Sequence, residues 1–312
     1  MSITGMRAAL ALLAGLLAGA GIELAVAQES AGVAQLTGTL AKIRKTGSVA
    51  IGYRDASVPF SYIDPSSKMR VREPIGYSID LCLALVEDIR GELGDDTIQI
   101  KYVPVNAQTR IPLVVDGSVD LECGQTTNNA ERRKQVAFSP IIFVSGTKLL
   151  VKRGSKIGSY RDLGGKTVVA TEGSTNAAAI KAIDAKLKLG AKLVTVGDNS
   201  DAFRAVVSGT ADAWAGDDAV LYATAAESAS PRDFVVLEEF LSYDPYGIMY
   251  RKDDRELDAL VRHSFEKLAE TRELARIYEQ WFLRKLPSGR TVGLPMSEQL
   301  QGIFESLGQP TE

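Results

Sequence analysis

Strand-like and helix-like segments alternate along most of this chain, and that alternation restricts the fold more than any other feature. Buried strands are indicated by SVAIGYR, IQIKYVPV and VDLECG, and the helices between them by YSIDLCLALVEDIRGEL and TRIPLVVDG. The same order returns further on as KTVVAT, GSTNAAAIKAIDAKL, KLVTV, SDAFRAVVSG and DAWAG. Strict alternation implies parallel sheets covered by helices on both faces. The sequence therefore predicts an α/β fold that is built twice.

An internal similarity supports this doubling. The segment RIPLVVDGSVDLECGQ matches FRAVVSGTADAWAGD through a helix, a glycine corner, an aspartate and a strand ending in glycine. A common type of turn between helix and strand would give the same match without a repeat. If the repeat holds, the polar run TTNNAERRK (126–134) and the acidic pair 217–218 lie at equivalent sheet edges, where open α/β sheets bind ligands. The matching positions are Gly117 with Gly209, Asp120 with Asp212, Gly124 with Gly216, and Gln125 with Asp217.

The N-terminus indicates secretion. Residues 1–27 contain one arginine, Arg7, then an apolar run and an Ala-Val-Ala end, which is typical of a signal peptide cleaved before Gln28. The apolar run is shorter than the roughly 20 residues that a membrane-spanning helix needs. We therefore predict a periplasmic protein. In that oxidising compartment, Cys82 and Cys123 are expected to form a disulfide rather than a metal site.

Composition and motif spacing exclude several classes of protein. A net charge of −3 with 24% charged residues gives no basis for binding nucleic acid or an anionic membrane surface. The sequence has no metal-ligand spacing and no Ser/His/Asp arrangement, and the single histidine, His263, lies in a polar helical segment without catalytic neighbours. We therefore predict no cofactor, no metal and no catalytic residues.

Charged residues at the two predicted sheet edges are complementary to an amino acid. Arg132 offers a planar fork for a carboxylate, and Thr127 adds a hydroxyl beside it. Asp217 offers an acceptor for an ammonium group. Arg54 and Arg110 follow strands of the first half and indicate a second anionic group on the ligand. Because runs such as ERRK are most often solvated helix faces, charge alone leaves both interpretations open.

Longer stretches resemble a known family. GYRDASVPFSY, RIPLVVDGSVDLECGQTTNNAERRKQVAFS, DLGGKTVVATEGST and YGIMYRKDD resemble the family 3 solute-binding proteins of ATP-driven amino-acid importers. The resemblance implies a two-lobed type II periplasmic-binding fold, in which each lobe is a mixed, mainly parallel sheet flanked by helices and two crossover strands join the lobes. The implied bounds are 36–143 with 247–285 for lobe 1, 148–242 for lobe 2, and 286–312 for a C-terminal tail that packs on lobe 1.

The resemblance also implies roles for individual residues. Thr127 and Arg132 would hold the ligand α-carboxylate, and Asp217 would accept from its ammonium group. Arg54 and Arg110 match the basic pair of the branch that binds acidic amino acids. Further implied positions are Thr171 and Ser174 as donors from lobe 2, and Phe60 and Tyr62 as pocket walls. Three positions depart from that branch, since Ala107 and Gln125 stand where it has serines and Asn199 where it has a histidine.

The expected function is capture of glutamate or aspartate by closure of the lobes, and delivery by a monomeric protein to the membrane permease of an ABC importer. Glutamine or asparagine is the alternative ligand, read by Gln125 and Asn199, if Arg110 pairs with a protein acid such as Asp55. A sensory module would use the same cleft with another partner. Because periplasmic lyases and dehydratases share this fold, an enzyme is a further alternative, with Glu122 and Glu172 as its candidate acids.

Overall fold

The structure is a computed structural model that describes residues 36–70 and 72–308. The predicted signal peptide at 1–27 lies outside the described residues. The strands of the described residues are β1 (Ser48–Tyr53), β2 (Ala56–Ser57), β3 (Ser61–Ile63), β4 (Pro74–Ile75), β5 (Gln99–Pro104), β6 (Leu121–Glu122), β7 (Val136–Phe138), β8 (Phe143–Ser145), β9 (Thr147–Lys152), β10 (Thr167–Thr171), β11 (Lys192–Val196), β12 (Ala213–Asp217), β13 (Phe234–Val236), β14 (Asp244–Tyr246) and β15 (Met249–Arg251). The α-helices are α1 (Gly38–Thr46), α2 (Tyr77–Leu93), α3 (Arg110–Val115), α4 (Thr175–Leu187), α5 (Asn199–Ser208), α6 (Asp218–Glu227), α7 (Arg255–Glu270), α8 (Glu273–Tyr278) and α9 (Glu298–Leu307). None of the helices in these ranges combines the length and the apolar character that crossing a membrane requires.

Two five-stranded sheets of equivalent topology form the centres of the two lobes. The first sheet, in lobe 1, has the order β5-β1-β6-β15-β7, and the second, in lobe 2, has the order β11-β10-β12-β9-β13. In each sheet three neighbouring strands are parallel, and the fourth runs antiparallel to both of its neighbours. The prediction of an α/β fold built twice is confirmed. The alternation of strands and helices in the sequence did not indicate this antiparallel strand. In the first sheet it is β15, which the chain forms only after it has completed lobe 2, and in the second sheet it is β9, the first strand of that lobe.

The repeated corner performs the same structural task in both lobes. Gly117 and Gly209 both adopt φ 79° after a helix, a left-handed conformation that glycine adopts without steric cost. Asp120 then accepts a hydrogen bond of 2.9 Å from a backbone N–H of β1, and Asp212 accepts one of 2.8 Å from a backbone N–H of β10. Asp120 thereby ties the start of β6 to β1, and Asp212 ties the start of β12 to β10. The carboxyl ends of these strands consequently lie side by side in both lobes.

The lobes are joined by β8 and β14, which pair in antiparallel fashion. Phe143 and Tyr246 of these crossover strands stack with ring centroids 5.8 Å apart, and Phe143 also stacks on Phe282 at 5.0 Å. Aromatic pairs of this kind add to the stabilisation that burial alone provides. The hinge is therefore anchored in the core of lobe 1.

The C-terminal tail contacts both lobes. Helix α9 packs on α7 in lobe 1 through Leu300 and Phe304. The Ser288 hydroxyl, however, donates to the Glu227 carboxylate of α6 at 2.6 Å, and a guanidinium N–H of Arg290 donates to a carbonyl of the same lobe 2 helix at 3.0 Å. The tail therefore bridges the lobes, and the residue bounds given for lobes and tail stay a prediction.

Cys82 of α2 and Cys123, which directly follows β6, form the predicted disulfide. Their Cα atoms are 6.2 Å apart, and both residues are fully buried. The bond fixes the helix to the sheet edge from which the polar run 126–134 begins.

Replacing both cysteines by alanine is expected to lower the free energy of unfolding by about 2–4 kcal/mol, because the bond closes a loop with a sequence separation of 41. Denaturant titration of the oxidised wild type and the double variant measures this difference. Reduced wild-type protein, which keeps both side chains, separates the lost cross-link from lost packing. Equal midpoints for oxidised and reduced protein would contradict the expected role.

Candidate ligand-binding site

A small cavity lies between the lobes, beyond the carboxyl ends of β1, β6, β10 and β12. Its wall is almost entirely polar. Eight of the nine residues predicted to bind a ligand line it, and Arg132, the ninth, is buried behind Thr127. The lining consists of Arg54, Ala107, Arg110, Gln125 and Thr127 from lobe 1, and Thr171, Ser174, Thr175, Asn176, Asn199 and Asp217 from lobe 2.

Three buried arginines dominate the lobe 1 side. Arg54, Arg110 and Arg132 are only 4%, 3% and 7% exposed. Arg110 Nη1 donates to the Thr126 hydroxyl at 2.6 Å and to the Gln125 carbonyl at 3.1 Å. Within residues 36–70 and 72–308, none of the three makes an ion pair with a carboxylate. Asp55 therefore does not pair with Arg110, and the acid nearest to it in the hydrogen-bond network, Glu122, reaches it only through the Thr126 hydroxyl.

Burial and mutual repulsion act on these arginines together. Desolvation, followed by the charge of Arg110, lowers the pKa of Arg54 to about 10 and that of Arg132 to about 9. A buried cation whose pKa falls is in surroundings that compensate its charge incompletely. An anion bound in the cavity would restore that compensation, so the lobe 1 side suits carboxylates.

Glu122 lies beneath the arginines as a buried counter-charge. Its Oε2 accepts from the Thr126 hydroxyl at 2.6 Å, and that hydroxyl in turn accepts from Arg110. Its Oε1 has no hydrogen-bond partner in the described part of the chain. These two hydrogen bonds, from Arg110 to Thr126 and from Thr126 to Glu122, fix the position of the Arg110 guanidinium. Glu122 thus sits under the site without reaching the cavity lining, and Glu172, the other acid considered for catalysis, is exposed.

The lobe 2 side carries the opposite charge. Asp217 is 5% exposed, and its Oδ1 accepts from the Asn176 side chain at 2.9 Å. Burial and the nearby carboxylate of Asp244 raise the pKa of Asp217 to about 6. Asp244 itself accepts from the Thr127 hydroxyl at 3.1 Å. A carboxylate in these surroundings is stabilised by a cation, so this side suits an ammonium group.

The other predicted lobe 2 donors also bond within the protein. The Ser174 hydroxyl caps α4 by accepting from a backbone N–H of that helix at 3.1 Å. The Thr171 hydroxyl donates to Asn199 Oδ1 at 3.1 Å. Asn199 Nδ2 donates across the cleft to the Ala56 carbonyl at 3.2 Å and to the Ser57 hydroxyl at 3.3 Å. The Asn199 amide is therefore engaged by protein groups on both lobes.

The structure places the two aromatic residues away from the cavity lining. Phe60 is fully buried and packs edge-on against Phe143 at 4.9 Å and Tyr246 at 5.3 Å. Tyr62 packs against Trp281 at 6.1 Å. Both rings belong to the hydrophobic core and neither lines the cavity, and Phe60 supports the crossover strands.

Three residues of the site were missed by sequence reasoning. Thr175 and Asn176 follow the predicted donor Ser174 and line the cavity, with Asn176 holding Asp217. The polar STN at the start of α4 was the available signal, because it follows a strand end of lobe 2. Asp244 lies on the returning crossover strand, and no local pattern indicates that it faces Asp217.

The two lobes and the charged cavity between them define a type II periplasmic-type binding protein. Residues 49–284 match the model of the bacterial extracellular solute-binding proteins, family 3, and the chain belongs to that family. The predicted family, the predicted fold class and the assignment as a binding protein rather than an enzyme are confirmed.

Similar proteins include the L-glutamate/L-aspartate-binding protein of Pseudomonas aeruginosa, which is 42% identical over 87% of this chain and 89% of that protein. The glutamate/aspartate import solute-binding protein of Escherichia coli is 36% identical over 86% of this chain and 87% of its own length. Among solved structures, an ancestral arginine-binding protein bound to glutamine is 30% identical with a TM-score of 0.66, covering 76% of this chain and 98% of that one.

Proposed function

We propose that this protein captures L-glutamate or L-aspartate in the cavity between its lobes and delivers it to the permease of an ABC importer. The observation that carries this proposal is the group of three buried arginines without a carboxylate partner in the described residues, opposite the buried Asp217. A zwitterion with one additional carboxylate matches that distribution of charge. The two relatives named for glutamate and aspartate support the same ligand class.

Each charged group of the ligand has a proposed partner. The α-carboxylate is held by Arg132 and by the Thr127 hydroxyl, which exchanges its bond to Asp244 for one to the ligand, and the ammonium group is held by Asp217. The side-chain carboxylate is held by Arg54 and Arg110. Arg132 donates to the Thr127 carbonyl through Nη1 at 2.8 Å and has four further N–H donors on its fork. Burying two more guanidinium groups beside a neutral side chain would leave their charge uncompensated, which is costly.

Glutamine is the second candidate, and one observation favours it. The Gln125 side-chain Oε1 is buried without a hydrogen-bond partner in the described residues, so it offers an acceptor to a ligand amide. Asn199 no longer supports that alternative, because its amide bonds to protein groups. Two buried arginine cations favour a carboxylate more strongly than one amide oxygen favours an amide. We therefore propose the acidic amino acid as the ligand.

Ligand capture would proceed by closure. The ligand first binds lobe 1 through the arginines, and bending at β8 and β14 then brings Asp217 onto the ammonium group. Delivery to the permease requires the closed, loaded form. The protein would act as a monomer in the periplasm after cleavage of the signal peptide before Gln28.

Thermal unfolding of ligand-stripped, refolded protein in the presence of each common L-amino acid tests the proposal. A ligand at a hundred times its dissociation constant adds about 2.7 kcal/mol of stability. We expect clear stabilisation by glutamate and aspartate and little by glutamine and asparagine. The reverse order would assign Arg54 and Arg110 a structural role. No stabilisation by any amino acid would refute the proposed function.

Binding is expected to weaken as the pH falls below about 6, because only ionised Asp217, whose pKa is about 6, can accept the ammonium group. Each further pH unit corresponds to about tenfold in affinity, while the ligand carboxylates stay largely ionised down to about pH 5. The folding stability of the ligand-free protein depends on pH in the opposite direction. Since folding raises this pKa, ionisation of Asp217 between about pH 4 and 6 disfavours the folded state.

Calorimetric titrations from pH 5 to 8 measure this dependence. The variant Asp217→Asn removes the titrating group, and its weaker binding is expected to change far less with pH. A wild-type affinity that stays constant between pH 5 and 7 would show that Asp217 does not receive the ammonium group.

A further inference from the structure

Asn199 forms a buried bridge between the lobes. It begins α5 in lobe 2 and is 5% exposed. Its Nδ2 donates to the Ala56 carbonyl and the Ser57 hydroxyl of β2 in lobe 1, at 3.2 and 3.3 Å. Its Oδ1 accepts from the Thr171 hydroxyl of its own lobe at 3.1 Å. Donor and acceptor atoms of the amide are both used by the protein, which leaves no polar atom of this side chain without a protein partner.

We propose that Asn199 is a closure latch, which recognises the position of lobe 1 rather than the ligand. This inference rests on the proposed function, since it gives one residue of the proposed site a different task. The bonds to Ala56 and Ser57 exist only when the lobes are together. The latch therefore contributes to the closed state and contributes nothing to the open one.

The surroundings show why a latch at this place influences binding. Strand β2 begins two residues after Arg54, and the Arg54 N–H donates to the Ser61 hydroxyl of β3 at 2.9 Å. Asn199 thus forms hydrogen bonds to the segment that directly follows one of the two arginines proposed for the side-chain carboxylate. The position of Arg54 itself is fixed by the bond to Ser61, so the latch favours closure without placing the arginine.

Within the cavity lining, the other contacts between the lobes are weaker or apolar. The hydroxyls of Thr127 and Thr175 lie 3.4 Å apart. Gly173 approaches lobe 1 so closely that a Cβ there would lie 3.3 Å from the Ala107 carbonyl. Ala107 has no polar side-chain group to offer in return. Among the cross-cleft contacts of the cavity lining, Asn199 makes the hydrogen bonds with the clearest donor and acceptor geometry.

Removing the latch is expected to lower affinity uniformly. A ligand that binds a closed state has an apparent dissociation constant that rises as that state becomes less populated. Loss of one or two buried hydrogen bonds corresponds to about 5- to 10-fold. Because the polar atoms of the Asn199 amide all bond to protein groups, the ratio of the affinities for glutamate and aspartate is expected to stay the same.

A double-mutant cycle tests the proposal. Wild type, Asn199→Ala, Ser57→Ala and the double variant are titrated calorimetrically with glutamate and with aspartate. We expect each single substitution to raise the dissociation constants of glutamate and of aspartate by the same factor. The double variant is expected to bind both ligands no more weakly than Asn199→Ala does. Ser200→Ala is the matched control, because its hydroxyl bonds to Asp198 within lobe 2 at 2.7 Å. An altered glutamate-to-aspartate ratio in Asn199→Ala, with Ser57→Ala silent, would overturn the latch and make Asn199 a ligand contact.

A second arm needs no ligand and separates this inference from the proposed function. Dyes on Glu92→Cys in lobe 1 and Lys186→Cys in lobe 2, both exposed positions, report closure by single-molecule energy transfer. The native cysteines are buried in their disulfide and do not react. In ligand-free protein, Asn199→Ala and Ser57→Ala are expected to reduce the closed fraction about 5- to 10-fold. Equal closed fractions in all variants would overturn the latch, even if the wild type binds no amino acid.

Discussion

Replacing Arg132 by alanine is expected to weaken binding of the acidic amino acid by about 3–5 kcal/mol, or two to three and a half decades in the dissociation constant. Arg132 is 7% exposed and lies behind Thr127, where solvent cannot take its place. Without its guanidinium, the ligand α-carboxylate would be buried with the Thr127 hydroxyl and no charge partner. Isothermal titration of the variant with glutamate measures the loss.

Two further variants make this test specific. Arg132→Lys keeps the charge but not the planar fork, so it is expected to restore only part of the affinity. Arg133→Ala is the matched control, because this neighbouring arginine is exposed and donates to Asn128 outside the cavity. Wild-type affinity in Arg132→Ala would place the α-carboxylate elsewhere. An equal loss in Arg133→Ala would indicate a general effect of charge.

Replacing Arg54 by methionine is expected to remove the preference for an acidic side chain. The Arg54 side chain makes no hydrogen bond and no ion pair to any residue that the structure describes, and it faces the cavity. Methionine keeps much of its length and apolar volume. We expect glutamate affinity to fall about 100-fold or more, because a buried carboxylate loses a charge partner. Glutamine affinity is expected to change much less.

The comparison between two ligands protects this result from effects on folding, since misfolding would weaken both. Arg44→Met serves as the control, because Arg44 is an exposed arginine of α1 in the same lobe. Equal losses for glutamate and glutamine would mean that Arg54 supports the cavity without reading the ligand. Unchanged binding of glutamate would assign the side-chain carboxylate to other groups.

Much of the fold follows from local patterns. Helix α2 coincides with the predicted segment YSIDLCLALVEDIRGEL, and β12 is shifted by one residue from the predicted strand DAWAG. Four cavity residues, Arg54, Arg110, Thr127 and Asp217, were predicted from their charge or polarity at or beyond the carboxyl ends of strands, where open α/β sheets place their ligands. The repeated corners at Asp120 and Asp212 then align those ends. The other four, Gln125, Thr171, Ser174 and Asn199, were predicted only from the resemblance to the family.

Other features depend on contacts between distant segments, and local patterns do not report them. Strand β15 pairs with β6 and β7 only after the chain has completed lobe 2. Glu122 meets the arginines through Thr126, and Asp244 meets Asp217 across the hinge. Asn199 was assigned to the ligand because it stands where the branch that binds acidic amino acids has a histidine. Its bond to β2 joins residues 143 positions apart, so no local pattern reveals it.

The most direct measurement of the central claim compares glutamate with glutamine on ligand-stripped wild-type protein by calorimetry at pH 7.5. The two ligands have nearly the same shape and differ in the charge of one end group. Two buried arginines without a carboxylate partner in residues 36–70 and 72–308 predict that glutamate binds at least about 100-fold more tightly. Equal affinities, or tighter binding of glutamine, would contradict the proposal that Arg54 and Arg110 select an acidic amino acid.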